Sequence, residues 1–400
     1  VSGVSGNRAR HRAERRAERG RAARHGVMVA AASVVAAVGT VTGMVSALDE
    51  GGGKDQARPK VTKSPTLEPL PAVPTPSASE SSAKPSSAKS SAAPKPKPKP
   101  STQPPKKPST AAPKGNSLYR YGDSQVLDWV RGNRSDPRRP LIESRIADKP
   151  AAVWFADYAP GTITSRVRAV TSGAGSRVPV VVPYAIPDRD CGGASQGGAP
   201  DLAAYDAWIE KFAAGLGSGE VIVILEPDAV AQSECLSAKQ RTARYASLAR
   251  AGRTLKAADP KARVYFDAGH SGWNGAARQA GRLRAAGAAS PASSDGVFTN
   301  VSNFHRTADE AAYARKVLSA LGGPASLGAV IDTSRNGNGA PADGEWCDPA
   351  GRGLGQSPTL RTGQARIDAY LWIKLPGESD GCKGEPGTFT PGYAYDLARG

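Results

Sequence analysis

From Asn116 onward, short apolar runs alternate with longer segments that mix polar and apolar residues. The apolar runs are Ala152–Tyr158, Val178–Ile186, Val221–Glu226, Arg263–Asp267, Gly296–Val301, Gly328–Asp332 and Ala369–Lys374. They are rich in β-branched and aromatic residues and bounded by Gly, Pro, Asp or Asn, which predicts strands. Between most of them lie segments of helical character, among them Asp201–Leu216, Ser237–Ala258 and Thr307–Leu321. Continuously apolar strands alternating with helices predict a parallel sheet covered on both faces, an α/β fold. Seven strands in about 285 residues suit a (β/α) barrel of TIM-like type better than an open doubly wound sheet. In such a barrel the chemistry gathers at the C-terminal ends of the strands.

The first 115 residues obey other rules. Asn7–His25 is Arg-rich and polar all round, and Val27–Leu48 carries no charge. A basic flank before an apolar run is an export signal, and about 22 residues are also enough to span a bilayer. The small residues Val45-Ser46-Ala47 favour cleavage there. Cleaved or retained as a tether, the segment places the downstream chain outside: an extracellular domain, secreted or held at the outer face of the cytoplasmic membrane. From Gly51 to Gly115 the chain is mostly Pro, Lys, Ser and Ala, including Pro94-Lys95-Pro96-Lys97-Pro98-Lys99-Pro100. That composition buries too little apolar surface to order itself and predicts a disordered, semi-stiff linker. The expected organisation is therefore a basic N-terminus with signal or anchor (1–50), a linker (51–115) and one domain (116–400).

Charge sharpens this division. Of the net +17, the folded region contributes little, with 33 Lys and Arg against 29 Asp and Glu in residues 116–400. Nucleic-acid binding needs a basic face on the domain itself, so that class is set aside. Cys191, Cys235, Cys347 and Cys382 all lie in the domain. An even count in an exported chain predicts disulfides, with three pairings open. No two cysteines are spaced as a Cys-x-x-Cys metal pair.

The predicted strand ends carry a concentration of carboxylates. The second leads into Tyr184-Ala185-Ile186-Pro187-Asp188-Arg189-Asp190-Cys191, the third into Glu226-Pro227-Asp228, and the fourth into Asp267-Ala268-Gly269-His270-Ser271-Gly272-Trp273. Asn300-Val301-Ser302-Asn303 and Asp332-Thr333-Ser334-Arg335-Asn336 come next, and the last run leads into Lys374-Leu375-Pro376-Gly377-Glu378-Ser379-Asp380-Gly381-Cys382. Trp154, Tyr184, Trp273 and Trp346 fall near the same loops. Glycosidic cleavage needs one protonated carboxyl for the leaving oxygen and one ionised group for water. Crowded carboxylates keep one of their number protonated near neutrality, and flat rings offer faces to the C–H surfaces of a pyranose. Each signal has a plainer alternative: Asp188, Arg189 and Asp190 as a surface ion-pair loop, Asp228 as a helix cap, Trp154 as core. Gly269-His270-Ser271-Gly272 lacks the second glycine of a nucleophile elbow, because Trp273 stands there. Asn336-Gly337-Asn338-Gly339 lacks the Gly-Lys-Ser/Thr of a phosphate loop.

Four of these motifs, in order, resemble glycoside hydrolase family 6, the inverting cellulases: Pro187–Cys191, Leu225–Asp228, Asp267–Trp273 and Lys374–Gly381. The resemblance runs from about Val153 to the end. It implies a distorted seven-stranded barrel and no metal or organic cofactor. By position, Asp228 matches the general acid, Asp190 the neighbour that raises its pKa and organises water, Asp380 the proposed general base, and Asp267 a supporting carboxylate. Tyr184 matches the tyrosine beneath the sugar at the cleavage point. Lys374, Glu378, His270 and Asn303 match sugar-holding residues, and Trp154, Trp273 and Trp346 match stacking platforms. The resemblance also selects the disulfides Cys191–Cys235 and Cys347–Cys382. Ala276 stands where some exo-acting members have a second tryptophan, and about twenty residues lie beyond Asp380, which leaves little room for a tunnel roof. The expected function is endo-acting, inverting hydrolysis of β-1,4-glucan by a monomer, with no nucleic-acid partner. The alternatives are exo-acting cellobiohydrolase action, a non-catalytic surface glucan-binding protein, and a hydrolase for a self-made glucan.

Overall fold

The computed structural model describes residues 117–400. The expectations for residues 1–50 and 51–115, including the segment Val27–Leu48, lie outside the described residues. Among the described residues no helix is long and apolar enough to cross a membrane.

Seven strands form one parallel sheet in chain order: β1 (Val153–Phe155), β2 (Val180–Pro183), β3 (Val221–Leu225), β4 (Ala262–Asp267), β5 (Gly296–Thr299), β6 (Gly328–Asp332) and β7 (Ile367–Leu371). Each pairs with the next, and no ladder joins β1 to β7. That seam is bridged instead by the backbone bond Ala152 N–H to Trp372 O, 2.9 Å. The indole N–H of Trp154 adds a second link, donating to Ile373 O at 2.7 Å. The barrel is thus curled but incompletely closed, the distortion expected from the resemblance. β1, β2, β3 and β5 are shorter than the apolar runs that announced them, β6 coincides with its run, β4 starts one residue earlier, and β7 is shifted toward the N-terminus, starting two residues earlier. β2 ends at Pro183, so Tyr184, Ala185 and Ile186 leave the sheet while remaining buried.

Alternation along the strands divides the core. Val180, Val182, Ile222, Ile224, Tyr265, Phe298, Val330, Ala369 and Leu371 point into the barrel. Val181, Val223, Leu225, Val264, Phe266 and Val297 point out against the helices. Those helices are α1 (Gln125–Gly132), α2 (Arg139–Ile142, continued by a π-helical turn), α3 (Ile163–Gly173), α4 (Leu202–Ala213), α5 (Ala238–Ala258), α6 (Ala276–Ala285), α7 (Thr307–Leu321) and α8 (Pro391–Arg399). Local signals set their starts. Asp201 accepts from Ala204 N–H ahead of α4. Ser237 and Gln240 form a capping box at α5, satisfying N–H groups that otherwise lack partners. The α1, α2 and α8 region packs with Trp372 and Leu375 in a separate apolar cluster beside the open seam.

Candidate active site

Most site residues lie in a strand or in the turn that follows it, while Trp346 sits in the long loop between β6 and β7. Trp154 lies in β1, and Tyr184, Asp228, His270, Asn303 and Lys374 come after β2, β3, β4, β5 and β7. Non-glycine residues at positive φ cluster in these turns: Asp188, Asp190, Glu226, Asp228, Asn300 and Ser302. Such backbone is costly for an L-residue, and a packed surround must hold it. One such brace is Glu226, fully buried, whose carboxylate accepts from the N–H groups of Ala185 and Ile186, each at 3.0 Å. It ties the end of β3 to the segment that presents Tyr184.

The strand ends enclose a cleft of about 1210 Å³ lined by Trp154, Tyr184, Asp190, Asp228, His270, Trp273, Asn303, Trp346, Lys374, Glu378 and Asp380. All eleven were singled out in the sequence. Asp267 is not in the wall. Its side chain is buried, one oxygen accepting from Val230 and Ala231 N–H (3.2 and 2.8 Å) and the other from Gly269 N–H at 2.8 Å. It braces the turn that carries Asp228.

Asp228 is half-buried, with the Tyr184 hydroxyl 3.4 Å from its Oδ2. Burial, then the charges of Asp267 and Asp190, push its pKa up to about 8, against the Tyr184 hydrogen bond. It therefore holds its proton at neutral pH, as a general acid must. Burial also lifts Asp267 to about 6, Glu226 to about 7 and Glu378 to about 7, with Lys374 opposing in the last case. His270 is driven down to about 3 by burial and by His305, its stacked neighbour at 4.3 Å, and is a neutral ring.

Asp380 sits across a different group. Its Oδ2 meets Arg335 Nη1 at 2.7 Å and its Oδ1 lies 3.4 Å from Lys374 Nζ. Arg335 is fully buried, lies over the Phe304 ring at 4.5 Å and also donates to Tyr393 Oη. Asp190 accepts from Ser195 N–H at 2.7 Å. Arg189 covers the Tyr184 ring at 4.5 Å and donates to the carbonyls of Ala156, Tyr184 and Ser195. The surface ion-pair alternative for this loop therefore does not hold. Nor does the cap alternative for Asp228, since the chain turns without forming a helix there. Trp154 is both wall and core, edge-on to Tyr184 at 5.3 Å. Trp273 and Trp346 stand 36% and 58% exposed, as platforms facing solvent rather than core.

Sequence reasoning gave no role to Glu226, His305, Arg335 or Asp348. Arg335 and Glu226 stood in strand-end motifs and were visible in kind. His305 and Asp348 carried no local signal. The disulfides are Cys191–Cys235 and Cys347–Cys382, as the resemblance implied. Among the described residues no group of three or more His, Cys, Asp or Glu is arranged to hold a metal.

A curled parallel barrel whose C-terminal rim joins a proton-holding carboxyl, further carboxylates and aromatic platforms defines a carbohydrate-cleaving barrel hydrolase. Residues 116–394 match the profile of glycosyl hydrolases family 6, and the chain belongs to that family. It is 52% identical over 295 residues to Endoglucanase 1 of Streptomyces sp. (strain KSM-9), covering 73% of this chain and 80% of that one. It is 49% identical over 284 residues to Endoglucanase A of Thermobispora bispora, covering 70% of this chain and 61% of that longer protein. The structure of the endoglucanase Cel6 from Mycobacterium tuberculosis, in complex with methyl-cellobiosyl-4-deoxy-4-thio-β-D-cellobioside, matches with a TM-score of 0.66 and 38% identity. That match covers 72% of this chain and 97% of the other.

Proposed function

We propose that this domain is an endo-acting, inverting hydrolase of β-1,4-glucan, with Asp228 as the general acid. The observation that carries the reading is the place of Asp228 in the wall of the aromatic cleft, 3.4 Å from the Tyr184 hydroxyl, where burial and the charges of Asp267 and Asp190 favour its protonated form. Asp228 donates that proton to the glycosidic oxygen as the C1–O bond breaks. A water attacks C1 from the opposite face and gives up its proton to the solvent side of the cleft. Two carboxylates are available there. Asp380 is held by Arg335 Nη1 at 2.7 Å and lies 3.4 Å from Lys374 Nζ. Asp190 lines the cleft and accepts from Ser195 N–H, and the proton passes to Asp380 or, through a water chain, to Asp190. Glu378 and Lys374 hold the adjoining sugar, with His270 and Asn303 as further contacts. Trp154, Trp273 and Trp346 stack on successive rings.

Internal cutting is supported by the exposure of Trp273 and Trp346 and by the endoglucanase names of the relatives. The experiment is to monitor viscosity and reducing ends together on carboxymethyl cellulose, with Asp228→Ala alongside. A sharp fall in viscosity with few new ends, lost in the variant, is expected. Wild-type-like turnover in Asp228→Ala would sink the acid assignment, and slow viscosity loss with many ends would favour exo action.

The domain is further proposed to start near Asn116, behind a linker, and to work as an exported monomer, secreted or tethered through Val27–Leu48. Two disulfides support an oxidising compartment. Cell fractionation with N-terminal sequencing of the mature chain tests cleavage and place, and light scattering tests the monomer.

A further inference from the structure

Asp348 adjoins the half-cystine Cys347, lies at a φ of 49° and is buried, yet the chemistry of the cleft gives it no task. Its carboxylate is saturated. Oδ1 accepts from Asp380 N–H at 2.8 Å. Oδ2 accepts from Ser379 Oγ at 2.6 Å and from the N–H groups of Cys382 and Lys383, each at 3.0 Å. The exchange is reciprocal, because Asp348 N–H donates to Asp380 Oδ2 at 3.2 Å. Arg335 Nη1 lies 3.9 Å from Asp348 and 2.7 Å from Asp380, so one guanidinium faces two carboxylates.

We propose that Asp348 is the positioning residue for Asp380: it folds the loop 379–383 around its own carboxylate and thereby sets where the Asp380 carboxylate stands. The inference rests on the reading of Asp380 as part of the water-activating side of the cleft. Hydrogen bonds from four donors keep Asp348 ionised despite its burial. Arg335 faces both carboxylates while Lys374 also reaches Asp380, so Asp348 and Asp380 together face two cations. The disulfide Cys347–Cys382 cannot substitute for it. That bond fixes the ends of the two segments but offers no acceptor to the N–H groups of Asp380 and Lys383. An amide at this position places an NH₂ group against at least one N–H or O–H donor.

The test uses the full chain with both disulfides formed and cellohexaose as substrate. In Asp348→Asn, kcat is expected to fall 10- to 100-fold with KM within twofold of wild type. Added sodium azide, a nucleophile that needs no deprotonation, is expected to restore at least fivefold of the loss and yield the α-glycosyl azide. Azide is expected to do nothing for Asp228→Ala, whose defect lies on the leaving-group side. Ser379→Ala removes one donor without changing charge and is expected to show the same kcat-selective loss, smaller, even where Asp348→Asn folds poorly. Turnover within twofold of wild type in Asp348→Asn, beside an inactive Asp380→Ala, would overturn this inference alone. A fall in turnover that azide leaves untouched would overturn it too. Normal turnover in Asp380→Ala would remove the reading beneath it.

Discussion

The hydroxyl of Tyr184 stands 3.4 Å from Oδ2 of Asp228, a hydrogen bond to a carboxyl that otherwise faces the cleft and its charged neighbours. Because Asp228 must be protonated to act, kcat/KM is expected to fall as pH rises through about 8. The hydrogen bond from Tyr184 favours the ionised form, so Tyr184→Phe should move that basic limb upward. A pH–rate profile of both proteins, with a limb that moves down or stays in place, would count against the assignment.

Asp267 tests the electrostatics from below. Its charge is the first neighbour raising Asp228, so Asp267→Asn should move the basic limb toward acid. An amide oxygen cannot replace both oxygens that accept backbone N–H groups, so the variant should also lose roughly 1–3 kcal/mol of stability. Denaturant melts alongside the pH profile separate the two effects.

Glu226, Asp228, Asp267 and Glu378 are among the carboxyls that titrate in the folded protein above their ordinary range, principally through burial. A carboxyl with a raised folded pKa contributes stability below its unfolded pKa and loses it as pH rises through the folded value. Asp348 is held below its usual value, against burial, by Ser379 and backbone N–H groups, and acts in the opposite sense at lower pH. The protein should therefore be most stable in mildly acidic solution and melt several degrees lower at pH 8 than at pH 5. Scanning calorimetry across that window checks it, and Glu226→Gln should flatten the slope.

The tryptophans should separate by burial. Trp346 is 58% exposed, so Trp346→Ala should raise KM for long oligosaccharides several-fold with little change in Tm. Trp154 packs on the barrel interior and bonds across the open seam, so Trp154→Ala should cost about 3–5 kcal/mol of stability as well as binding. Paired KM and Tm measurements on both variants decide this.

Removal of the Cys347–Cys382 bridge, which spans 35 residues, should cost roughly 3–4 kcal/mol by the loop-entropy argument. Activity should fall below what that stability loss explains, since Trp346, Asp348 and Asp380 all flank the bridge. Assays of a Cys347→Ser, Cys382→Ser double variant well below its Tm make the comparison.

What could be read from the chain alone was whatever is written in neighbouring residues. A parallel sheet is buried on both faces, so its strands appear as unbroken apolar runs, and all seven were legible. Motifs at the ends of those runs held most of the eleven residues that line one cleft, because a strand fixes the direction of the side chains just beyond it. The boundaries were less legible: the apolar run around β2 continues to Ile186, while pairing stops at Pro183. The tertiary structure alone decided the rest. The sequence places Asp267 among the carboxylates, but only the fold shows both its oxygens occupied by backbone N–H groups and withdrawn from the cleft. Asp348 and Asp380, 32 residues apart, carry no pattern that announces their exchange of hydrogen bonds. Periodicity reports burial, which is a property of each residue and its neighbours. Partnership between distant polar groups depends on where two loops meet, and that is settled only when the barrel has closed as far as its seam allows.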